Sequence, residues 1–362
     1  MDRLLAIRYA EVSFHDVRDS AGMRPHILRM PVLALALTAL CCNEKAHQGR
    51  QPADAQTRPA SARSDPEPLP PRPAPPPPRR AGCPRFSDGQ EVGKVESVKL
   101  TEASGLVSSR VSSGVLWAHN DAPGRGELFA MDRTGRDLGK YSLNGTTVDD
   151  LEDIALGPGP GPDDRSLYVG DIGASKAPRD TLVLIVVREP KVNSDQKAKK
   201  RKIKRKHITR YLLRYPDRAV FDAETLMVDP ETSDVYVATK TSAPEAALFR
   251  AKAPLNARGA NVMERVAWVR LGPEGASGSA LLTGGDIAPD GSAILLRTYA
   301  DAFLWPRRPG EAIAEALSRP PCQVPLRVEP QGEAIAFSAD GRSYLTVSEG
   351  THSKIFEFVR EQ

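Results

Sequence analysis

Between residues 101 and 350 the chain repeats one figure five times. Each copy has a short apolar run, a turn rich in Gly, Pro, Asp or Ser, a second run of β-branched and aromatic residues, and a closing polar cluster. The copies are "TEASGLVSSRVSSGVLWAHND" (101–121), "DLEDIALGPGPGPDDRSLYVGDIG" (150–173), "DAETLMVDPETSDVYVATK" (222–240), "LLTGGDIAPDGSAILLRTYAD" (281–301) and "QGEAIAFSADGRSYLTVSEG" (331–350). Short runs of this composition, bounded by turn formers, predict a pair of strands joined as a hairpin. In the last copy the turn is Asp340-Gly341, a tight-turn pair. Recurrence at uneven intervals of roughly 45 to 70 residues suits propeller blades better than helical solenoids.

Each interval has room for two further strands. "ELFAMDR" and "DLGKYSL" follow the first copy, "TLVLIVVRE" and "HITRYLLRY" the second, and "ALFRAKA" and "RVAWVRL" the third. The fourth is followed by "AFLWPRR" and, more weakly, "PLRVEP". After the last copy comes only "KIFEFVRE", so its outer strand has to be "EVGKVESVKL" (91–100), which precedes the first copy. Borrowing that strand closes a ring and removes exposed edges. The predicted fold is all-β: a propeller of five four-stranded blades over residues 85–362, closed by an N-terminal strand. Six blades remain open if one unit merges two, and a β-sandwich is the competing architecture.

The innermost strand of a blade lines the channel, and the next runs antiparallel to it. The start of the first strand and the end of the second therefore meet at one end of the channel. The starts bring Glu102, Glu152, Glu224 and Glu333, with Asp153 beside the second and Thr283 in the fourth slot. The ends bring His119, Asn120, Asp121, Asp171, Lys240, Arg297 and Glu349. Like charges this close must be protonated, paired or metal-bound. The four glutamates are candidate metal ligands, because carboxylate oxygens are hard donors suited to calcium. Asn120, Asp171, Lys240, Arg297 and Glu349 are candidate ligand-binding residues, with Lys240 and Arg297 able to pair with two of the glutamates. His119 and Asp121 are the candidates for activating water. The alternative is that each glutamate accepts backbone amides of the neighbouring blade and simply locks the ring.

The quoted strings, from "EASGLVSS…LWAHND" to the last copy, resemble a family of largely uncharacterised bacterial secreted or lipoprotein propellers. They are similar, more distantly, to esterase-like phytase propellers and gluconolactonase-type lactonase propellers. The resemblance spans about Glu96 to Phe358 and implies the propeller fold, with calcium and hydrolysis of a phosphoester, ester or lactone as the associated chemistry. The family pattern carries Trp before the Glu of the second copy, where Leu151 stands here. It continues "GDIG" with Asp-Asn, where this chain has Ala174 and Ser175.

The N-terminal residues change the picture of where such a domain works. Arg24 and Arg29 precede the apolar run Met30 to Leu40, followed by Cys41 and Cys42. This is the form of an export signal over residues 1–42, with Cys41 or Cys42 placed as the lipidated cysteine of a lipoprotein. Residues 43–84, including "PLPPRPAPPPPRR", are too poor in apolar side chains to offset the entropy of folding and predict a semi-rigid tether. The expected location is the cell envelope or outside the cell. In that setting Cys83 and Cys322 are candidates for a disulfide pinning the tether to the loop between the fourth and fifth blades.

The net charge of +4 is mild, but "KAKKRKIKRK" (197–206) concentrates it. The run falls between the outer strands of the second blade and reads first as a solvated loop. Its functional reading is contact with anionic lipid or an anionic envelope polymer. No base-stacking aromatic is interleaved, which argues against nucleic acid. "GASGS" (275–279) resembles a nucleophile elbow but has Ser279 where the second Gly belongs. Ser104 and Ser348 lie near the acidic mouth and keep a serine nucleophile open. Two functions follow: a binding module whose acidic mouth takes a divalent cation or small ligand, with an envelope protein as a further expected partner, or a calcium-assisted hydrolase. A monomer is expected in either case.

Overall fold

The computed structural model describes residues 82–174, 179–271 and 281–361. The expected export signal, the expected tether to residue 81, Cys41, Cys42 and the elbow-like 275–279 stretch lie outside the described residues. The first strand is β1 (Gln90–Lys94). Blade one holds β2 (Ala103–Ser108), β3 (Val115–Asn120), β4 (Gly124–Asp132) and β5 (Asp137–Val148). Then come β6 (Leu151–Pro158), β7 (Arg165–Asp171), β8 (Thr181–Arg188), the short β9 (Lys200–Ile203) and β10 (Ile208–Arg214). The third unit is β11 (Ala223–Val228), β12 (Val235–Thr239), β13 (Glu245–Ala251), the short β14 (Ala260–Val262) and β15 (Glu264–Arg270). The fourth is β16 (Leu282–Ile287), β17 (Ala293–Thr298), β18 (Ala302–Pro306), helix α1 (Ile313–Leu317) and β19 (Cys322–Val324). The last is β20 (Gly332–Phe337), β21 (Ser343–Ser348) and β22 (Lys354–Val359).

These strands form five separate sheets. Their inner strands pack in a closed cycle: β2 on β6, β6 on β11, β11 on β16, β16 on β20, and β20 back on β2. The chain is a five-bladed β-propeller. β1 pairs antiparallel with β22 and supplies the outer strand of blade five, which closes the ring. All residues of the inner strands β2, β11, β16 and β20 are buried, because each strand has a neighbouring blade on both faces. This is why they read as continuous apolar runs rather than alternating ones. Each of the five interfaces between blades has its own apolar core, such as Trp117, Leu128, Tyr141 and Ile185 between blades one and two. Close packing there dictates Gly105, where a Cβ would collide with the His119 imidazole and the Ile154 backbone. At the Asp340-Gly341 turn, Gly341 has φ +68° and donates its N–H to Ser338 O at 2.9 Å.

The rim differs from the sequence expectation in two places. The outer strand of blade four is Cys322–Val324 and not "PLRVEP": Pro325 has no N–H to donate to β18 and ends the ladder. The basic run is not a solvated loop within blade two. Its residues 200–203 form β9, which crosses to blade one and pairs parallel with β5, Lys140 opposite Lys200 and Leu143 opposite Ile203. The reason is apolar: Ile203 is buried, and the Arg201 guanidinium lies over the Tyr141 ring at 5.5 Å. β14 repeats the manoeuvre, crossing from the third unit to pair parallel with β10 of blade two. Blade four reaches back through α1, packed on β15, and through Arg307, whose buried guanidinium binds both Asp229 oxygens at 2.9 and 3.1 Å. Cys83 and Cys322 form a disulfide with Cα atoms 5.6 Å apart, tying the start of the domain to β19. Closing a loop with a sequence separation of 239 contributes up to about 5 kcal/mol in the chain-entropy model.

Candidate functional site: the channel mouth

All five inner hairpins break register at one place. The ladder skips Ser104 in β2, Glu152 in β6, Glu224 in β11, Thr283 in β16 and Glu333 in β20. Each is the extra residue of a β-bulge, which turns its side chain out of the pleat and toward the channel mouth. The ring of equivalent positions is therefore Ser-Glu-Glu-Thr-Glu. Glu102, grouped with the other glutamates by sequence, sits two residues ahead of its blade's bulge and is exposed. Its structural counterparts are Asp150, Asp222 and Gln331, whose carbonyls, like that of Glu102, each accept an N–H from the end of the second strand. The acidic residue two before the bulge is the signal that sequence reading passed over: it brings Asp150 and Asp222 into the mouth.

The two short bulge side chains lock the ring. Ser104 Oγ donates to the Glu152 carbonyl, and Thr283 Oγ1 lies 3.4 Å from the Glu333 carbonyl. The glutamates face the opening and form two groups. In the first, oxygens of Asp121, Asp150 and Glu152 all lie within 4.8 Å of one another. Burial, then the carboxylates of Glu224, Asp121 and Asp150, push Glu152 up to about 10. Burial and its acidic neighbours push Asp121 up to about 6. Asp171 positions this group from below. Its carboxylate accepts the Asp149 and Asp150 N–H groups at 3.2 and 3.1 Å and a charged bond from Arg179 at 2.7 Å. Gly173 stands against the pair, where a Cβ would strike Glu152 and Asp150.

The second group is a chain. Lys240 Nζ binds Glu224 and, at 2.8 Å, the Tyr299 hydroxyl, which donates to Glu333 at 3.2 Å. Burial opposes the Lys240 charge, but the Glu224 carboxylate beside it outweighs that and holds the ammonium above its ordinary range. Burial keeps Glu224 raised, to about 7, even with Lys240 attached. Burial and the Glu333 carboxyl push Glu349 up to about 7. Tyr299, the third member of this chain, was not among the residues singled out from sequence. It occupies the position after Thr298 that Asp121 and Lys240 occupy in their blades.

The remaining predicted residues are spent elsewhere. Asn120 accepts the Thr101 and Glu102 N–H groups at 3.0 and 3.1 Å and donates to Lys99 O at 2.8 Å, so its amide holds backbone. His119 is fully buried between blades one and two, Nδ1 3.1 Å from Asn120 O, and burial pushes it down to about 4. Arg297 has its ion pair with Glu329 and not with a glutamate of the mouth. It is fully buried and pairs with Glu329 at 3.0 Å, while Thr346 donates to the other Glu329 oxygen at 3.1 Å. Asp153, next to Glu152, turns into the channel wall and accepts the N–H groups of Ile154 and Leu226 at 2.8 and 2.9 Å. Asp286 repeats this with Ile287 and Phe337. Inner strands are edge strands, and these two carboxylates satisfy N–H groups that no further strand can reach.

No protein-family model matches the chain, and no curated protein matches it. Among solved structures, a chain of the Kuenenia stuttgartiensis hydrazine synthase is similar at 10% identity and a TM-score of 0.40, over 73% of this chain and 96% of that one. A chain of the nidogen/laminin complex is similar at 12% identity and a TM-score of 0.37, over 69% of this chain and 73% of that one.

Proposed function

We propose that this propeller is an exported, lipid-anchored binding module whose channel mouth takes a divalent cation, calcium by the chemistry of its donors. The observation that carries the reading is the cluster of Asp121, Asp150 and Glu152, with ligand oxygens within 4.8 Å of one another. Three carboxyl groups in a partly dry mouth repel, and a hard cation relieves that repulsion while taking oxygen ligands. Asp171 and Arg179 support the cluster from behind, as second ligands' partners do in metal sites. Export is supported by the apolar run before Cys41 and Cys42 and by the disulfide, a bond of oxidising compartments.

Calcium titration of the full chain by calorimetry tests the cation. The expected result is stoichiometric binding that is lost in Asp150→Asn and Glu152→Gln. Wild-type protein that shows no saturable binding at millimolar calcium sinks the reading. A second reading, calcium-assisted hydrolysis of a phosphoester, ester or lactone, is favoured by one observation. In this reading Asp150 and Glu152 hold the ion, and Asp121 beside them, which burial and acidic neighbours raise above the usual carboxylate range, is the group placed to accept a proton from water. Turnover of such substrates that needs calcium and disappears in Asp121→Asn would favour it over simple binding.

A further inference from the structure

The crossing strand β9 has a consequence independent of the mouth. Alternation along it puts Arg201 and Ile203 against blade one and leaves Lys200 and Lys202 exposed on the other face. The exposed cations continue through Lys199, Lys204, Arg205 and Lys206, the last two in a short turn with no buried residue. Among the described residues, none of these six has a carboxylate within ion-pair distance, whereas the nearby Arg136 and Lys140 are both paired. A cationic row held on an ordered strand and left uncompensated costs self-repulsion that an anionic surface would relieve.

We propose that β9 and the following turn form a docking edge for an anionic lipid bilayer. The chain outside the described residues favours a membrane over a soluble polyanion. Resting on the proposed lipidation of Cys41 or Cys42, the domain is joined through the proline-rich residues 43–84 to a membrane-held cysteine. A single lipid chain gives marginal attachment, and a polybasic patch is a usual second contact. Nucleic acid is disfavoured because no aromatic ring is interleaved with the cations to stack on bases.

The test is co-sedimentation of the full chain with phosphatidylcholine vesicles, with and without phosphatidylglycerol at about one lipid in three to supply an anionic surface. The variant is Lys199→Gln/Lys200→Gln/Lys202→Gln, and the charge-matched control is Lys252→Gln/Arg258→Gln/Arg308→Gln, all exposed. At about fivefold per lysine, the triple variant should lose about 100-fold in partitioning to anionic vesicles, with neutral vesicles unaffected and the control near wild type. Neutral vesicles report the N-terminal anchor alone, so failure of the anchor and failure of the docking edge are read separately. Wild-type binding by the triple variant overturns the proposal. So does an equal loss in the control, or retention by soluble inorganic polyphosphate without preference for anionic vesicles.

Discussion

Glu152 and Asp153 are neighbours on one strand and have opposite fates. Asp153 turns into the wall and accepts two backbone N–H groups, one from its own strand and one from blade three. Burial pushes its carboxyl well above the usual carboxylate range, against the pull of those amides. Glu152, on the bulge, faces Asp121 and Asp150 and has carboxylates where Asp153 has donors. Glu329 is a third case, buried like both but compensated by a guanidinium. The difference teaches that a buried carboxylate is a structural part where donors surround it and a candidate binding group where other carboxylates do.

The largest effect should come from the compensated pair. Glu329→Ala leaves Arg297 buried without its carboxylate and should cost about 3–5 kcal/mol in denaturant unfolding. A loss below about 1 kcal/mol would show that the pair does not need both partners. Next is the wall: Asp153→Ala and Asp286→Ala each orphan two buried N–H groups and should cost about 2–4 kcal/mol. The mouth should respond with the opposite sign. Without added metal, Glu152→Gln should stabilise by about 1 kcal/mol or more at pH 8, because it removes a group whose ionised form the fold disfavours. Destabilisation by Glu152→Gln would place Glu152 with Asp153 as a structural acceptor and end the contrast.

The smallest and broadest effect is on pH. In the folded state Glu152, Glu224 and Asp121 hold protons up to about 10, 7 and 6, above their ordinary values of 4.5, 4.5 and 3.8. Between those limits the unfolded chain has released protons that the folded chain keeps, so stability should fall as pH rises. His119 acts with the opposite sign in the lower part of that window. It titrates at about 4 when folded against 6.5 when unfolded, so its own contribution is lost as pH drops from about 6.5 toward 4, which offsets part of the carboxyl trend there without reversing it. Melting temperature across pH 4 to 9 checks the net fall toward alkaline pH, and Glu152→Gln should make that fall shallower from about pH 4.5 upward.

Much of the architecture is readable from pattern. The five hairpins, the outer strands of blades one to three and the closing of blade five by the first strand all follow from apolar runs and turn residues. The glutamates at 152, 224 and 333 and Thr283 in the fourth slot were legible too, because the repeats align on them. Glu102 was misplaced because "EAS" offers a carboxylate two residues before the bulge, and only the ladder shows that Ser104 is the skipped residue. Arg297 looked like a mouth cation because it ends a strand, yet it lies opposite Gly284 in the ladder and its side chain turns to Glu329. Asp150, Asp222 and Tyr299 were missed for the same reason, since a one-residue shift in register changes the face a side chain occupies.

The amino-acid sequence by itself determined the repeated hairpins, the ring they close and the presence of acidic residues at one end of four of them. Those features are local, resting on turn chemistry and on runs long enough to fill a strand. Tertiary structure decided which carboxylates confront one another and which are satisfied by backbone. It also decided that the basic run becomes a strand of a neighbouring blade. These outcomes depend on partners supplied from far along the chain: Leu226 for Asp153, Glu329 for Arg297, Tyr141 for Arg201. Donors, counter-charges and buried apolar contacts exist only once the blades have met, and no local pattern specifies them.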